Sequence, residues 1–140
     1  MTCPLCARAD EALVWEDPLC RVIAVADDDY PGFCRVVWHQ HVAEMSDLAP
    51  PQQRHLLNVV MATEIALREA MQPDKINLAS FGNMVPHLHW HVIPRFADDR
   101  HFPQPVWGAA QRASGPTRHA PDRRALAAAI RDSLAELTAG

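Results

Sequence analysis

Between residues 11 and 26 the apolar side chains come in two short bursts, EALVWE over 11–16 and LCRVIAVA over 19–26, broken by Asp17-Pro18. Short runs rich in Val, Ile and aromatic residues predict strands, and the Asp-Pro pair predicts the turn between them. DDDYPG over 27–32 is a second turn and FCRVVW over 33–38 a third strand. The period then changes. From Pro50 to Met71 the apolar residues Leu56, Val60, Leu67 and Met71 keep helical spacing, and no Gly or Pro interrupts after Pro51. Proline is tolerated in a helix's first turn, and Pro73 stops this one. KINLASF over 75–81 predicts a fourth strand, Gly82-Asn83 a bend, and VPHLHWHVIP over 85–94 a fifth strand bracketed by Pro86 and Pro94. Residues 97–121 are rich in Pro, Gly, Ser, Ala and charge and read as loop or tail. Asp122 to Leu137 predicts a last helix, with Leu126, Ile130, Leu134 and Leu137 on one stripe. This order of strands, long helix, two strands and tail helix predicts an α+β fold with a mainly antiparallel sheet.

The fifth strand carries the candidate chemistry. His87, His89 and His91 alternate with Leu88, Trp90 and Val92. Side chains alternate faces along a strand, so the three imidazoles share one face at ~7 Å intervals while the apolar residues enter a core behind them. Three chemistries use such a row. As purely structural residues, each ring needs a hydrogen-bond partner of its own. As metal ligands, His-x-His is a good zinc donor pair that a third ligand completes, although no nearby Asp or Glu offers to orient the rings. As a nucleophile, neutral imidazole is competent at pH 7 and can carry a covalent intermediate, with the flanking rings orienting it and donating to phosphate oxygens.

Composition narrows the field. A chain of 140 residues suits one domain, and its 49% hydrophobic share is enough for a core. The formal net charge of -4 argues against a general nucleic-acid binder, which carries a basic surface. MTCPLCARADEALVW has no basic start and no apolar run of signal length, and no segment approaches the ~18 apolar residues of a membrane span. Four cysteines without a signal segment point to reduced thiols or a metal site, and to the cytoplasm. Cys3-Pro4-Leu5-Cys6 has the two-residue spacing of a zinc half-site; two free thiols or a redox pair fit the same spacing. Cys20 and Cys34, inside apolar strands, read as buried small residues. His39, His55, His101 and His119 are isolated and read as surface positions. HFPQPVW over 101–107 is unusually apolar for a loop, and reads equally as a cover for a pocket or for a dimer partner.

His87-Leu88-His89-Trp90-His91-Val92-Ile93 resembles the signature of the histidine triad (HIT) superfamily, in which three histidines alternate with apolar residues. The surroundings fall in the family's order over about residues 1–107: the CPLC knuckle, a Pro-Gly loop before a strand, His41-Val42 followed by Ser46-Asp47-Leu48, a helix, an Asn-bearing strand, and Gly82-Asn83 before the triad. The chain looks most like the bacterial branch labelled HIT-like or diadenosine tetraphosphate hydrolase-like. The resemblance implies a HIT domain over 1–107, with 108–140 a linker and C-terminal helix outside it.

The resemblance also implies an activity. His89 would attack the α-phosphorus of a nucleotide, the leaving group would depart, and water would release a nucleoside monophosphate from the nucleotidyl-histidine. His91 would donate to phosphate oxygens and His87 would support the arrangement from behind. Asn77 and Asn83 match phosphate-region positions, and Asp27 is the candidate for the ribose hydroxyls, beside Val22, Ile23 and Val25 for the base. From its residues alone Asp27 reads first as one member of a solvated Asp-Asp-Asp turn. The implied substrates are dinucleoside polyphosphates or other nucleoside 5′-monophosphate derivatives, with no divalent ion needed for catalysis. Some bacterial relatives hold a structural zinc with the knuckle, a histidine after the third strand and the first triad histidine; Cys3, Cys6, His41 and His87 stand at those positions. Family members usually form homodimers. The common Gly-Gln-Ser/Thr-Val is here Gly82-Asn83-Met84-Val85, so the hydroxyl that reaches the leaving group is missing at Met84. The rival from another class is a nucleotide-binding interaction module with little turnover.

Overall fold

A computed structural model describes residues 2–139. Five strands, β1 (Ala12–Glu16), β2 (Cys20–Ala24), β3 (Cys34–Trp38), β4 (Lys75–Ala79) and β5 (His89–Arg95), form one sheet in the order β1-β2-β3-β5-β4. All four pairings are antiparallel. A short helix α1 (Pro4–Ala7) holds the cysteine knuckle, α2 (Pro50–Met71) links β3 to β4, and α3 (Arg123–Thr138) follows the long loop. The expected α+β architecture with one long packing helix and a C-terminal helix is what forms.

The sheet has two unlike faces. On one side Cys20, Val22, Cys34, Val36, Trp38, Ile76, Leu88 and Val92 pack with Leu56, Val59, Ala66 and Leu67 of α2 and with Leu126 and Ile130 of α3. Helix α2 ends where Gln72 turns left-handed and its N–H caps the Arg68 carbonyl, just before Pro73. Asp122 starts α3 by accepting the Ala125 amide at 3.1 Å. The C-terminal helix therefore shares the core of the sheet. The other sheet face carries the histidines, Arg35 opposite His91, and Val37 opposite His89. Leu5, Ile23 and Val37 make a small second cluster there, under the knuckle.

The fifth strand differs from its expected span. It begins at His89, because the backbone around His87 and Leu88 bonds elsewhere: the His87 N–H donates to the Val85 carbonyl at 2.8 Å and the Leu88 N–H to the Val42 carbonyl at 2.8 Å. Pro94 lies inside β5 and not at its end. It falls beyond Val92, the last residue paired with β3, where β5 has a neighbour on one side only and a proline is tolerated.

Candidate active site

A cavity of about 480 Å³ opens on the histidine face, with His89, His91 and Arg35 at its polar wall. The bend at 82–85 and α1 supply one rim, and Phe81 and Trp107 the other. Gly82 has φ +72°, which turns the chain into the bend and favours glycine. Asn83 and Met84 both line the cavity, and Met84 is 95% exposed.

Hydrogen bonds settle which ring nitrogens carry protons. A carbonyl only accepts, so each ring nitrogen that reaches one is an N–H. The His89 Nδ1–H donates to the His87 carbonyl at 2.6 Å, which leaves Nε2 of His89 as the lone-pair nitrogen. The His87 Nε2–H donates to the Trp38 carbonyl at 2.6 Å, which leaves its Nδ1 as the lone pair. His91 stands edge-on to His89, with ring centroids 4.9 Å apart, and its buried Nδ1 has no hydrogen-bond partner among the described residues. Burial, then the neighbouring His89 and Arg35, push His91 down to about 4. His89 is also held below the ordinary histidine range, by burial first and by Arg35, against the opposing pull of its bond to the His87 carbonyl.

His87 is fully buried and does not line the cavity. Its Nδ1 faces the knuckle, 3.4 Å from Cys3 Sγ, 3.5 Å from Cys6 Sγ and 3.2 Å from His41 Nδ1. Cys6 Sγ is 3.3 Å from His41 Nδ1. Two sulfurs and two nitrogens on one tetrahedral zinc, with Zn–S ~2.3 Å and Zn–N ~2.0–2.1 Å, stand roughly 3.3–3.8 Å from one another. The four side chains fit that ion in donor type and spacing, and the His87 ring is oriented for it by the Trp38 carbonyl. Arg21, buried behind the knuckle, fixes it by donating to the Leu5 carbonyl and to Glu11, both at 2.6 Å.

Two expected substrate contacts stand elsewhere. Asn77 lies on the histidine face, but its side-chain oxygen accepts from Arg95 at 2.7 Å and it does not line the cavity. Asp27 sits in the 27–30 turn, where it accepts the Asp29 amide at 3.0 Å and borders a separate depression with Val25. Val22 belongs to the helix-side core, and Ile23 packs under the knuckle. Three histidines expected at the surface are engaged instead. His55 pairs with Asp17 at 2.6 Å, His39 donates to the Asp17 carbonyl at 2.8 Å, and His101 meets the Tyr30 hydroxyl at 2.5 Å. Each partner is remote in sequence, which is why spacing could not reveal it.

The loop after β5 is ordered by a buried ion pair that the sequence reading did not anticipate. Arg95 donates to Asp99 at 2.8 Å and to the Gln104 carbonyl at 2.7 Å. Asp99 also accepts the amides of Phe96 and Phe102, at 3.1 and 2.8 Å. Burial alone would raise the Asp99 carboxyl, but Arg95 and these amides outweigh it and hold it at about 2. The network sets Trp107 over the site, with its ring 4.9 Å from His91 and 5.1 Å from Phe81. Of the apolar 101–107 segment, Trp107 lines the cavity of its own chain.

The family profile described as HIT domain matches residues 7–98, well over half of the chain. The chain belongs to the HIT domain family. Among solved structures it is similar to a histidine triad protein from Bradyrhizobium japonicum, 31% identical with a TM-score of 0.72, over 91% of this chain and 93% of that one. A histidine triad protein from Sinorhizobium meliloti is 29% identical with a TM-score of 0.70, over 90% of this chain and 91% of that one. A zinc-bound histidine triad family protein from Mycobacterium smegmatis shares the fold, with a TM-score of 0.62 at 23% identity over 99% of this chain and 97% of that one. An AP-4-A phosphorylase from Mycobacterium tuberculosis is 27% identical over 78 residues, or 51% of this chain. The match spans only 40% of that relative's length.

Proposed function

We propose that the protein transfers a nucleotidyl group from a dinucleoside polyphosphate, or a related nucleoside 5′-monophosphate derivative, to water through His89. The observation that carries this reading is the 2.6 Å bond from His89 Nδ1–H to the His87 carbonyl, which leaves an unprotonated Nε2 for attack. Nε2 bonds to the α-phosphorus as the bond from phosphorus to the leaving oxygen breaks. Water then displaces the histidine and releases the monophosphate. His91 supplies a ring whose Nδ1 has no hydrogen-bond partner among the described residues, suited to phosphate oxygens. Asn83 and the backbone of its bend supply further polar groups at the rim. The missing hydroxyl at Met84 favours leaving groups that need no proton, such as a phosphate chain, over amines.

Cys3, Cys6, His41 and His87 would hold a structural zinc that ties the N-terminus to the triad. The same family membership supports a homodimer. Leu57 and Met61, one turn apart on α2, and Leu78 on the edge strand β4 are exposed apolar side chains that an interface would cover.

The test is product analysis. Purified protein is incubated with diadenosine tetraphosphate and, separately, with an adenosine phosphoramidate, each with and without inorganic phosphate. His89→Ala serves as the blank. His89-dependent AMP release from the polyphosphate alone is the expected result. ADP formed only with added phosphate would make the protein a phosphorylase, as the Mycobacterium tuberculosis relative is named. Nucleotide binding with no His89-dependent product would replace the enzyme by a binding module.

A further inference from the structure

Arg35 is the unexplained group in the cavity. It lies on β3 directly opposite His91 and lines the cavity beside His89 and His91. Its Nε is buried with no hydrogen-bond partner, and no carboxylate lies within ion-pair range of it among the described residues. The other arginines withdrawn from solvent each have a carboxylate partner, although Arg100 also leaves its Nε without a hydrogen bond. Arg21 pairs with Glu11 at 2.6 Å, Arg95 with Asp99 at 2.8 Å, Arg100 with Asp29 at 3.1 Å and Arg118 with Asp98 at 2.7 Å. The Phe33 ring lies beside Arg35, with the guanidinium carbon 5.9 Å from its centroid. No Asp, Glu, Lys or second Arg lines this cavity among the described residues.

A half-buried guanidinium without a counter-charge costs stability, because its desolvation is not repaid. The guanidinium fork matches phosphate oxygens two at a time. We infer that Arg35 is a phosphate-binding residue of this site, taking a phosphate other than the one under attack. Two sources share that chemistry: the rest of a nucleotide's phosphate chain, and a free inorganic phosphate that accepts the nucleotidyl group. The inference rests on the nucleotidyl-transfer reading for its purpose but not for its test, which reads binding alone.

Full-length protein in a His89→Ala background, where nothing turns over, is titrated calorimetrically with adenosine, ADP and inorganic phosphate, with Arg35 intact or replaced by Gln or Lys. If the nucleotide chain is the source, Arg35→Gln weakens ADP about 10- to 100-fold and leaves adenosine unchanged. If free phosphate is the source, inorganic phosphate weakens by that factor and ADP does not. Arg35→Lys, which keeps the charge but loses the fork, falls between. Because an unpaired cation is removed, Arg35→Gln should keep or raise Tm, whereas an arginine held for structure would lower it. Equal affinities in the Arg and Gln forms, or no phosphate-bearing ligand bound by the parent, overturn the inference. Arg35-dependent binding of inorganic phosphate with no nucleotide affinity supports the anion site and removes the nucleotide reading. A Gln variant that fails to fold shifts the decision to Arg35→Lys, where an unchanged ADP and phosphate affinity is equally fatal.

Discussion

His89 and His87 show how one hydrogen bond assigns a role to a side chain. Both rings donate to a backbone carbonyl, but through opposite nitrogens, so one presents Nε2 and the other Nδ1. The same residue type is thereby suited to the proposed reaction at one position and to the proposed zinc at the other. His91 makes a third case, since burial keeps it neutral. Its folded value of about 4 lies below the ordinary 6.5. The unfolded chain therefore binds this proton first as pH falls. The stabilisation is complete above pH 6.5 and is lost progressively toward pH 4, by ~3 kcal/mol in all. Urea melts at pH 7 and pH 4.5 should show that loss, and His91→Gln should reduce it, leaving the part due to His87 and His89, which burial also holds below the ordinary range. An unchanged difference in the variant would assign the acid sensitivity to other groups.

At the scale of elements, the knuckle and the loop after β5 close the site from opposite sides. Helix α1 has only four residues and is held by Arg21, by Leu5 and by the cluster of Cys3, Cys6, His41 and His87. Such a short helix has little stability of its own. Metal analysis of freshly purified protein should find one zinc per chain. Chelation, or Cys6→Ser, should lower Tm by several degrees and expose the triad to solvent. Protein that contains no zinc, or whose melting ignores a strong chelator, would leave the knuckle as a pair of free thiols. The opposite wall depends on Arg95 and Asp99, four residues apart, and through them on Tyr30 from the second turn. Pairs of this kind are invisible to hydrophobic periodicity, because a buried charge reads as a break in the pattern.

For the whole molecule the decisive feature is that two helices share one side of the sheet. Leu126 and Ile130 of α3 are buried in the core with α2 and β1–β3. Burying two such side chains contributes about 3–6 kcal/mol, against a total of ~5–15 kcal/mol for a domain of this size. Truncation after residue 121 should therefore abolish cooperative thermal unfolding or leave the protein insoluble. A truncated chain that melts within a few degrees of the intact one would make α3 an appendage. Light scattering tests the proposed homodimer at the same scale, and a monomer mass at tens of micromolar would remove it.

The strands, the long helix and the histidine row could be read without a structure, because each depends on local periodicity. The period of 2 in HLHWHVI and of 3.6 along α2 reports which side of an element is apolar. Which polar groups meet is a different matter. Arg35 stood in view as the charged residue of FCRVVW, and that break in an apolar strand was the signal that could have singled it out. Asn77 and Asp27 had the right residue type, but their side chains are taken by Arg95 and by a local turn. The sequence by itself determined the elements, the sheet face that carries the histidines and the donor types of the knuckle. Only the tertiary structure decided the ring nitrogens, the isolation of Arg35 and the placing of Trp107 over the cavity. Those depend on hydrogen bonds and charges between residues tens of positions apart, and no local pattern encodes them.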